Sequence, residues 1–229
     1  MLLNLKTIEN VGHDVYRIIL SADEPLEYQA GQYLLVEMGK DDLRPFSIAS
    51  SPSKDKFIEL HIGATPKNAF AWDVLERLRT IGNISATLSN GSAFLQPQED
   101  KDIVLIAGGT GYSYLKSIAY EIASQDLDLK VDIFWGAKQA SQLYEFDALV
   151  ALCEAHEQFH FHPVVEVAEP DWQGKTGLVH QSAIHTVHDF SQKQVYIAGP
   201  FAMAKIARDD LYNAGLAQEC LFGDAYAYI

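Results

Sequence analysis

From Asp102 to Gly215 the chain alternates short strand-like runs with amphipathic ones, and this rhythm restricts the fold more than any other feature of its 229 residues. "DIVLIAGG", "KVDIFWGA", "FHFHPVVEV" and "QVYIAGP" read as strands. "SYLKSIAYEIAS", "SQLYEFDALVALCEAH", "TGLVHQSAIHTVH" and "FAMAKIARDDLYNAG" read as helices, the last ended by Gly215. The first run has no polar face, so it must be covered on both sides. Strict strand–helix alternation then sets the strands parallel, with helices on either face.

The first half keeps a different period. "VYRIIL" (15–20), "AGQYLLVEM" (30–38) and "FIELHIGA" (57–64) are short strands divided by turn clusters; in the third, Ile58, Leu60 and Ile62 face one way and Glu59 and His61 the other. One helix interrupts them over 68–79, with Phe70, Val74, Leu75 and Leu78 on one stripe and Asn68 as its N-cap. The polar run "LQPQEDKD" (95–102) reads as a linker. The predicted architecture is an N-terminal antiparallel β-barrel over 1–97, followed by a doubly wound parallel-sheet nucleotide-binding domain over 98–229. Open parallel sheets take ligands at the carboxyl ends of their strands, so the site is expected there, where the halves meet.

Charge narrows the partners. The net charge is −14, and it is uneven: residues 1–97 hold 12 acidic and 9 basic side chains, the remainder 19 and 8. Such a surface repels nucleic-acid backbones and anionic membranes, so neither is expected as a partner. No apolar run approaches the ~20 residues of a membrane span, and the N-terminus lacks the pattern of a signal peptide, so a cytoplasmic protein is expected. Two cysteines, Cys153 and Cys220, cannot ligate a four-cysteine iron–sulfur cluster. His160 and His162 share a strand face and His185 and His188 form a helical i, i+3 pair. Neither pair has a third ligand nearby in sequence, so no metal is expected. The absence of an obvious apolar outer helix face suggests a monomer.

Four segments can carry chemistry. "AGGTGYSY" (107–114) ends a buried strand and opens a helix; Gly108, Gly109 and Gly111 permit a sharp turn and close approach of a phosphate to the helix N-terminus, although a plain βα turn would look the same. "YIAGPFAM" (196–203) is an ordinary strand–helix junction, or a place where Gly199 lets a flat ligand lie on the backbone. "RPFSIAS" (44–50) puts Pro45, which cannot donate to a ladder, between a fixed cation and the free hydroxyl of Ser47. It is either a solvated edge or an edge left open for a heterocycle. In the tail "LFGDAYAYI" (221–229), Tyr226 and Tyr228 alternate as in a strand, to stack on a ligand or to pin the tail.

These segments, in this order, resemble the ferredoxin–NADP reductase superfamily, and within it the bacterial Fre/LuxG type of NAD(P)H:flavin oxidoreductase. The resemblance runs through "AGQYLLV", "RPFSIAS", "IELHIGA", "LIAGGTGYSY", "WGAKQASQLY", "VYIAGPFAMAKIARD" and the terminal "LFGDAYAYI". It implies a flavin reductase that uses NADH or NADPH and takes FMN, FAD or riboflavin, with no metal and no iron–sulfur cluster. Arg44, Pro45, Phe46, Ser47, Ile48, His61, Ile62, Gly63, Ala64, Tyr226 and Tyr228 would contact the flavin, Arg44 at its ribityl chain or phosphate. Ser47 would be the catalytic side chain, beside flavin N5. Gly108, Gly109, Thr110, Gly111, Tyr112, Ser113, Lys138, Gly199, Pro200 and Phe201 would hold the pyridine nucleotide. Three positions depart from the superfamily pattern: Tyr114 replaces a proline, Ala198 replaces a common cysteine, and Pro200 stands where many Fre-type chains have arginine.

No phosphate clamp is evident in "GATPKNAFAW" (63–72), so the flavin is expected to diffuse in and out. Reduced flavin would then reach ferric iron, a monooxygenase or a luciferase. Lys138 is the single base after "DIFWGA", so NADH is expected to serve at least as well as NADPH. Two alternatives are a reductase component with tightly bound FAD serving a partner protein, and a non-catalytic flavin or nucleotide sensor.

Overall fold

The computed structural model describes residues 1–53, 56–125, 127 and 129–229. The chain divides into two compact units, Met1–Leu95 with Lys116–Gln125, and Gln96–Leu115 with Asp126–Ile229.

The first unit is a six-stranded antiparallel sheet of β1 (Leu2–Gly12), β2 (Val15–Ser21), β3 (Tyr33–Gly39), β4 (Asp42–Ser47), β5 (Ile58–Gly63) and β6 (Asn83–Asn90), in the order β4-β3-β6-β1-β2-β5. The outer strands β4 and β5 meet at one bridge, Ile48 to Leu60, which closes the sheet into a barrel. Leu3, Ile18, Leu20, Leu34, Val36, Ile48, Leu60 and Ile84 fill it. Helix α1 (Ala69–Ile81) adds Ala71, Val74, Leu75 and Leu78 to this core and ends on Gly82, whose φ of 80° makes the left-handed C-cap. Phe70 is a correction to the expected stripe. It is 49% exposed and Ala71 takes its place in the core; Asn68 stands at the N-cap without a side-chain capping bond.

β5 also differs from the alternation read in its sequence. Glu59 and His61 are buried, because Lys116–Gln125 of helix α2 (Tyr112–Gln125) covers that face. Polar side chains of α2 replace the lost water. Lys116 Nζ binds Glu59 Oε1 at 2.8 Å, Ser117 Oγ donates to the Ser50 carbonyl at 2.7 Å, and Glu121 Oε2 accepts from Ser51 Oγ at 2.7 Å and Ser53 N at 3.0 Å.

The second unit is a parallel sheet of β7 (Asp102–Gly108), β8 (Val131–Ala137), β9 (Phe159–Val165), β10 (Lys175–Thr176), β11 (Lys193–Ala198) and β12 (Leu221–Phe222), in the order β10-β9-β8-β7-β11-β12. Helices α3 (Phe146–Ala155), α4 (Val179–Thr186) and α5 (Phe201–Asn213) connect or follow the strands. The strands progress outward from β7 through β8 and β9, and then the chain returns to add β11 on the other side. The carboxyl ends of β7 and β11 are therefore the topological switch point. The linker start is anchored in this unit: Gln96 N donates to Tyr196 Oη at 2.9 Å and Gln98 N to Gln194 Oε1 at 2.9 Å.

Three local expectations are corrected here. The run over 141–156 is a 3₁₀ turn (Ala140–Gln142) and then α3, not one helix. α4 stops at Thr186, so His185 and His188 do not share a helical face. The tail over Asp224–Ala227 is a 3₁₀ turn, so Tyr226 and Tyr228 do not alternate as in a strand.

Candidate active site

In the first unit the candidate site is the open part of the barrel seam. β4 and β5 run antiparallel about the Ile48–Leu60 bridge, so the residues before Ile48 lie opposite those after Leu60. This register sets Arg44–Ser47 across from His61–Ala64 without a ladder between them. Pro45 pairs with Leu35 of β3 on its inner side and is exposed, as suits a proline on an outer strand. The Ser47 side chain is half-buried, and its hydroxyl has no hydrogen-bond partner among the described residues. Phe46 and Phe70 form an apolar wall, with ring centroids 6.3 Å apart.

Other residues expected at the flavin offer only backbone. Ile48 and Ile62 lie in the barrel core, Ala64 is buried, and of 61–64 only Gly63 is exposed. The His61 ring is turned to Glu59, Nε2 to Oε1 at 2.9 Å. Burial pushes the Glu59 carboxyl up, but the bond to His61 and the charge of Lys116 more than reverse this and hold it at about 2. Glu59 is thus a buried carboxylate that fixes the face of β5 behind the seam.

Arg44 closes the list on β4. Its guanidinium is forked onto Asp42, Nε to Oδ1 at 2.8 Å and Nη2 to Oδ2 at 2.6 Å. Nη1 donates to the carbonyls of Phe70 at 2.7 Å and Ala69 at 3.3 Å, and to Asp73 Oδ2 at 3.3 Å. The hydrogen bond from Arg44 holds the Asp42 carboxyl below its ordinary range.

In the second unit the candidate site is the switch point. Residues Gly109–Gly111 form a 3₁₀ turn after β7 and lead into α2. A Cβ on Gly111 would lie 2.4 Å from the Ala198 carbonyl oxygen, so only glycine lets the two loops touch backbone to backbone. Gly199, at φ 153°, would place a Cβ 2.6 Å from Met203 Cε and 3.1 Å from Gly108 N. Trp135 braces the loop from β8. Its Nε1 donates to the Gly109 carbonyl at 2.9 Å, and its ring stacks on Tyr112 at 4.0 Å and 13°.

The structure therefore brings 108–113 and 199–201 together. Tyr112 and Ser113 are buried, and the Ser113 hydroxyl has no hydrogen-bond partner among the described residues, while Thr110 and Pro200 face solvent. Lys138, exposed, stands one strand away at the end of β8. Phe201 and Tyr228, 58% and 73% exposed, meet edge to face at 6.2 Å. Tyr226 instead turns its hydroxyl to the Ala204 carbonyl at 3.2 Å and pins the tail to α5. Asp42, Asp73, Lys116, Glu121, Trp135 and Met203 carry no local signature as supports, because each acts on residues distant in the chain or through an ordinary-looking position.

The residues fit the groups that such a site implies. A free hydroxyl on an open strand edge suits a planar heterocycle with polar atoms on its rim. A cradle of glycines at a helix start, with a buried unpartnered hydroxyl, suits a dinucleotide. The FAD-binding domain model matches residues 1–79 and the oxidoreductase NAD-binding domain model matches residues 105–209. The chain is 41% identical to an NAD(P)H-flavin reductase of Vibrio harveyi and 41% identical to another of Aliivibrio fischeri, in each case over 98% of both chains. A solved cytochrome P450 reductase of Amycolatopsis superposes with a TM-score of 0.88 at 25% identity, covering 98% of this chain and 69% of that one. The chain belongs to the NAD(P)H-flavin reductases of the ferredoxin reductase-like superfamily.

Proposed function

We infer that the protein is an NAD(P)H-dependent flavin reductase, with the flavin at the barrel seam and the pyridine nucleotide at the switch point of the parallel sheet. The observation that carries the reading is the Ser47 hydroxyl, half-buried and unpartnered among the described residues on an open strand edge, in a chain similar over its whole length to flavin reductases. When bound, the flavin supplies the N5 atom that accepts hydride from the nicotinamide. Ser47 donates a hydrogen bond at that atom and stabilises the charge that develops there. Pro45 and the Phe46–Phe70 wall hold the ring against β4. Gly111 and Gly199 keep the two loops low enough for a dinucleotide to lie on backbone, and the first N–H groups of α2 face its phosphates.

The flavin is a diffusing substrate in this reading, since Arg44 is already paired with carboxylates and offers no free cation to a phosphate. Reduced flavin is released to ferric iron, a monooxygenase or a luciferase. The enzyme works as a monomer in the cytoplasm; no helix among the described residues is long and apolar enough to cross a membrane. The test is NADH oxidation with and without free riboflavin or FMN, together with gel filtration of the purified protein. Turnover that requires added flavin, and protein that emerges colourless, is the expected result. A stoichiometric yellow flavin surviving filtration overturns the diffusing-substrate reading, and no NADH oxidation with either flavin overturns the activity.

A further inference from the structure

Arg44 is the only cation on the open stretch of β4, and its partners are carboxylates and backbone carbonyls of this chain. Its side chain is 12% exposed, and two carboxylates, Asp42 and Asp73, lie at 2.6 and 3.3 Å from it. Asp42 takes the planar fork itself, the face that would otherwise grip a phosphate bidentately. The remaining nitrogen, Nη1, is turned to the Ala69 and Phe70 carbonyls, and the guanidinium carbon lies 5.2 Å from the Phe70 ring centroid. One arginine between two aspartates leaves the cluster with a net negative charge. Lys67, the only base on the segment leading into α1, is exposed to solvent, and among the described residues no ion pair joins it to this cluster.

The position of the cluster gives the charge a consequence. Arg44 stands three residues from Ser47, about 10 Å along an extended strand. That is comparable to the reach of a ribityl chain from a ring placed at Ser47. A flavin bound there brings a 5′-phosphate, where it has one, close to Asp42 and Asp73. The phosphate meets carboxylates with their arginine already held between them.

We propose that Asp42 and Asp73 are specificity-determining residues that neutralise Arg44 and make the seam favour riboflavin, whose ribityl chain ends in a hydroxyl, over phosphate-bearing flavins. This inference rests on the flavin-reductase reading and names its substrate class. The seam recognises ring and ribityl chain, and the acidic pair sets the selectivity at the far end.

The experiment uses the full chain with Asp73→Asn, Asp42→Asn and the double substitution. Steady-state turnover with saturating NADH is measured for riboflavin and for FMN, and binding of each flavin is followed separately by quenching of its fluorescence. Wild type is expected to show a KM and Kd for FMN no lower than for riboflavin. In the double variant the FMN-to-riboflavin ratio of both constants is expected to fall by about tenfold, the worth of one freed charge-assisted contact. The gain should fade with added salt and vanish when Arg44→Gln is added. Asp73 is half-exposed, so D73N tests the same direction in a chain whose core is untouched. A ratio unchanged in D73N and in the double variant overturns the proposal. So does an Arg44→Gln substitution in the otherwise wild-type chain that weakens FMN and spares riboflavin, because Arg44 would then already hold the phosphate. Failure of the wild type to reduce or bind either flavin overturns the flavin-reductase reading instead, and the two failures are distinct.

Discussion

Replacing Glu59 by Gln should cost the protein stability in a way that depends on pH. The carboxylate lies on β5 with 8% of its side chain exposed, and its Oε1 takes both Lys116 Nζ at 2.8 Å and His61 Nε2 at 2.9 Å. Its pKa falls from 4.5 to about 2 in the folded chain. At about 1.4 kcal/mol per unit, ionised Glu59 contributes about 3 kcal/mol to folding at neutral pH. The sign follows from the direction of the shift. A depressed carboxyl stabilises above the pKa of the unfolded chain, and the contribution fades as pH falls toward the folded value. At pH 3 less than half of it remains. Urea unfolding of wild type and E59Q at pH 7 and pH 3 measures this directly. The gap between them should shrink by about 2 kcal/mol, since any pH-independent packing loss is common to both conditions and cancels in the change. Lys116→Met combined with E59Q should recover part of the loss, because it removes the charge left unpaired. A gap that keeps its size from pH 7 to pH 3 would refute the reasoning, as Glu59 would then titrate like an exposed carboxyl.

Other expectations concern the two half-sites. Ser47→Ala should lower kcat by about tenfold to a hundredfold, with flavin affinity changing far less, since the hydroxyl acts mainly on the developing charge; equal losses in both would refute that role. Gly111→Ala must push the Ala198 carbonyl away from 2.4 Å, so it should raise KM for NADH by about tenfold or more while flavin fluorescence titrations stay as in wild type. NADH should support an initial rate at least equal to that with NADPH. Lys138 is the single base at the end of β8, and Glu166, just past the neighbouring strand β9, lies beside it, with its N–H on the Ala137 carbonyl at 3.0 Å. Glu121→Gln should destabilise by about 1–3 kcal/mol at neutral pH, because its carboxylate accepts from Ser51, Ser53 and Gln125. Thermal melting reads that loss.

The two rhythms of the sequence were sufficient for the architecture, because a buried parallel strand and a barrel strand impose different periods on the residues that form them. Element ends were less legible. α1 keeps its apolar period, but Ala71 rather than Phe70 goes inward, since the large ring is needed beside Phe46 and Arg44 at the seam. β5 alternates apolar and polar residues as a half-solvated strand would, yet both its faces are buried. The polar face is matched by Lys116, about sixty residues later, and no local pattern links the two. Likewise, "SYLKSIAYEIAS" reads as an amphipathic helix, but its polar residues Ser117 and Glu121 are buried against 50–53.

Arg44 shows why a motif can mark a site without fixing what the site holds. From the sequence, an arginine before Pro-Phe-Ser is a cation next to an open edge, and any anionic end of a ligand is a natural partner. The structure adds Asp42 and Asp73, one two residues upstream and the other a turn inside α1. Neither is unusual on its own: an aspartate at the start of a strand and an aspartate in the first turns of a helix are both common. Their effect appears only when the fold sets them against the same guanidinium. A fixed charge has a fixed capacity for strong hydrogen bonds, and the planar fork can face one carboxylate or one phosphate well, but not both. The same residue type at the same place in the motif can therefore clamp a phosphate in one chain and repel it in another, according to whether its neighbours carry charge.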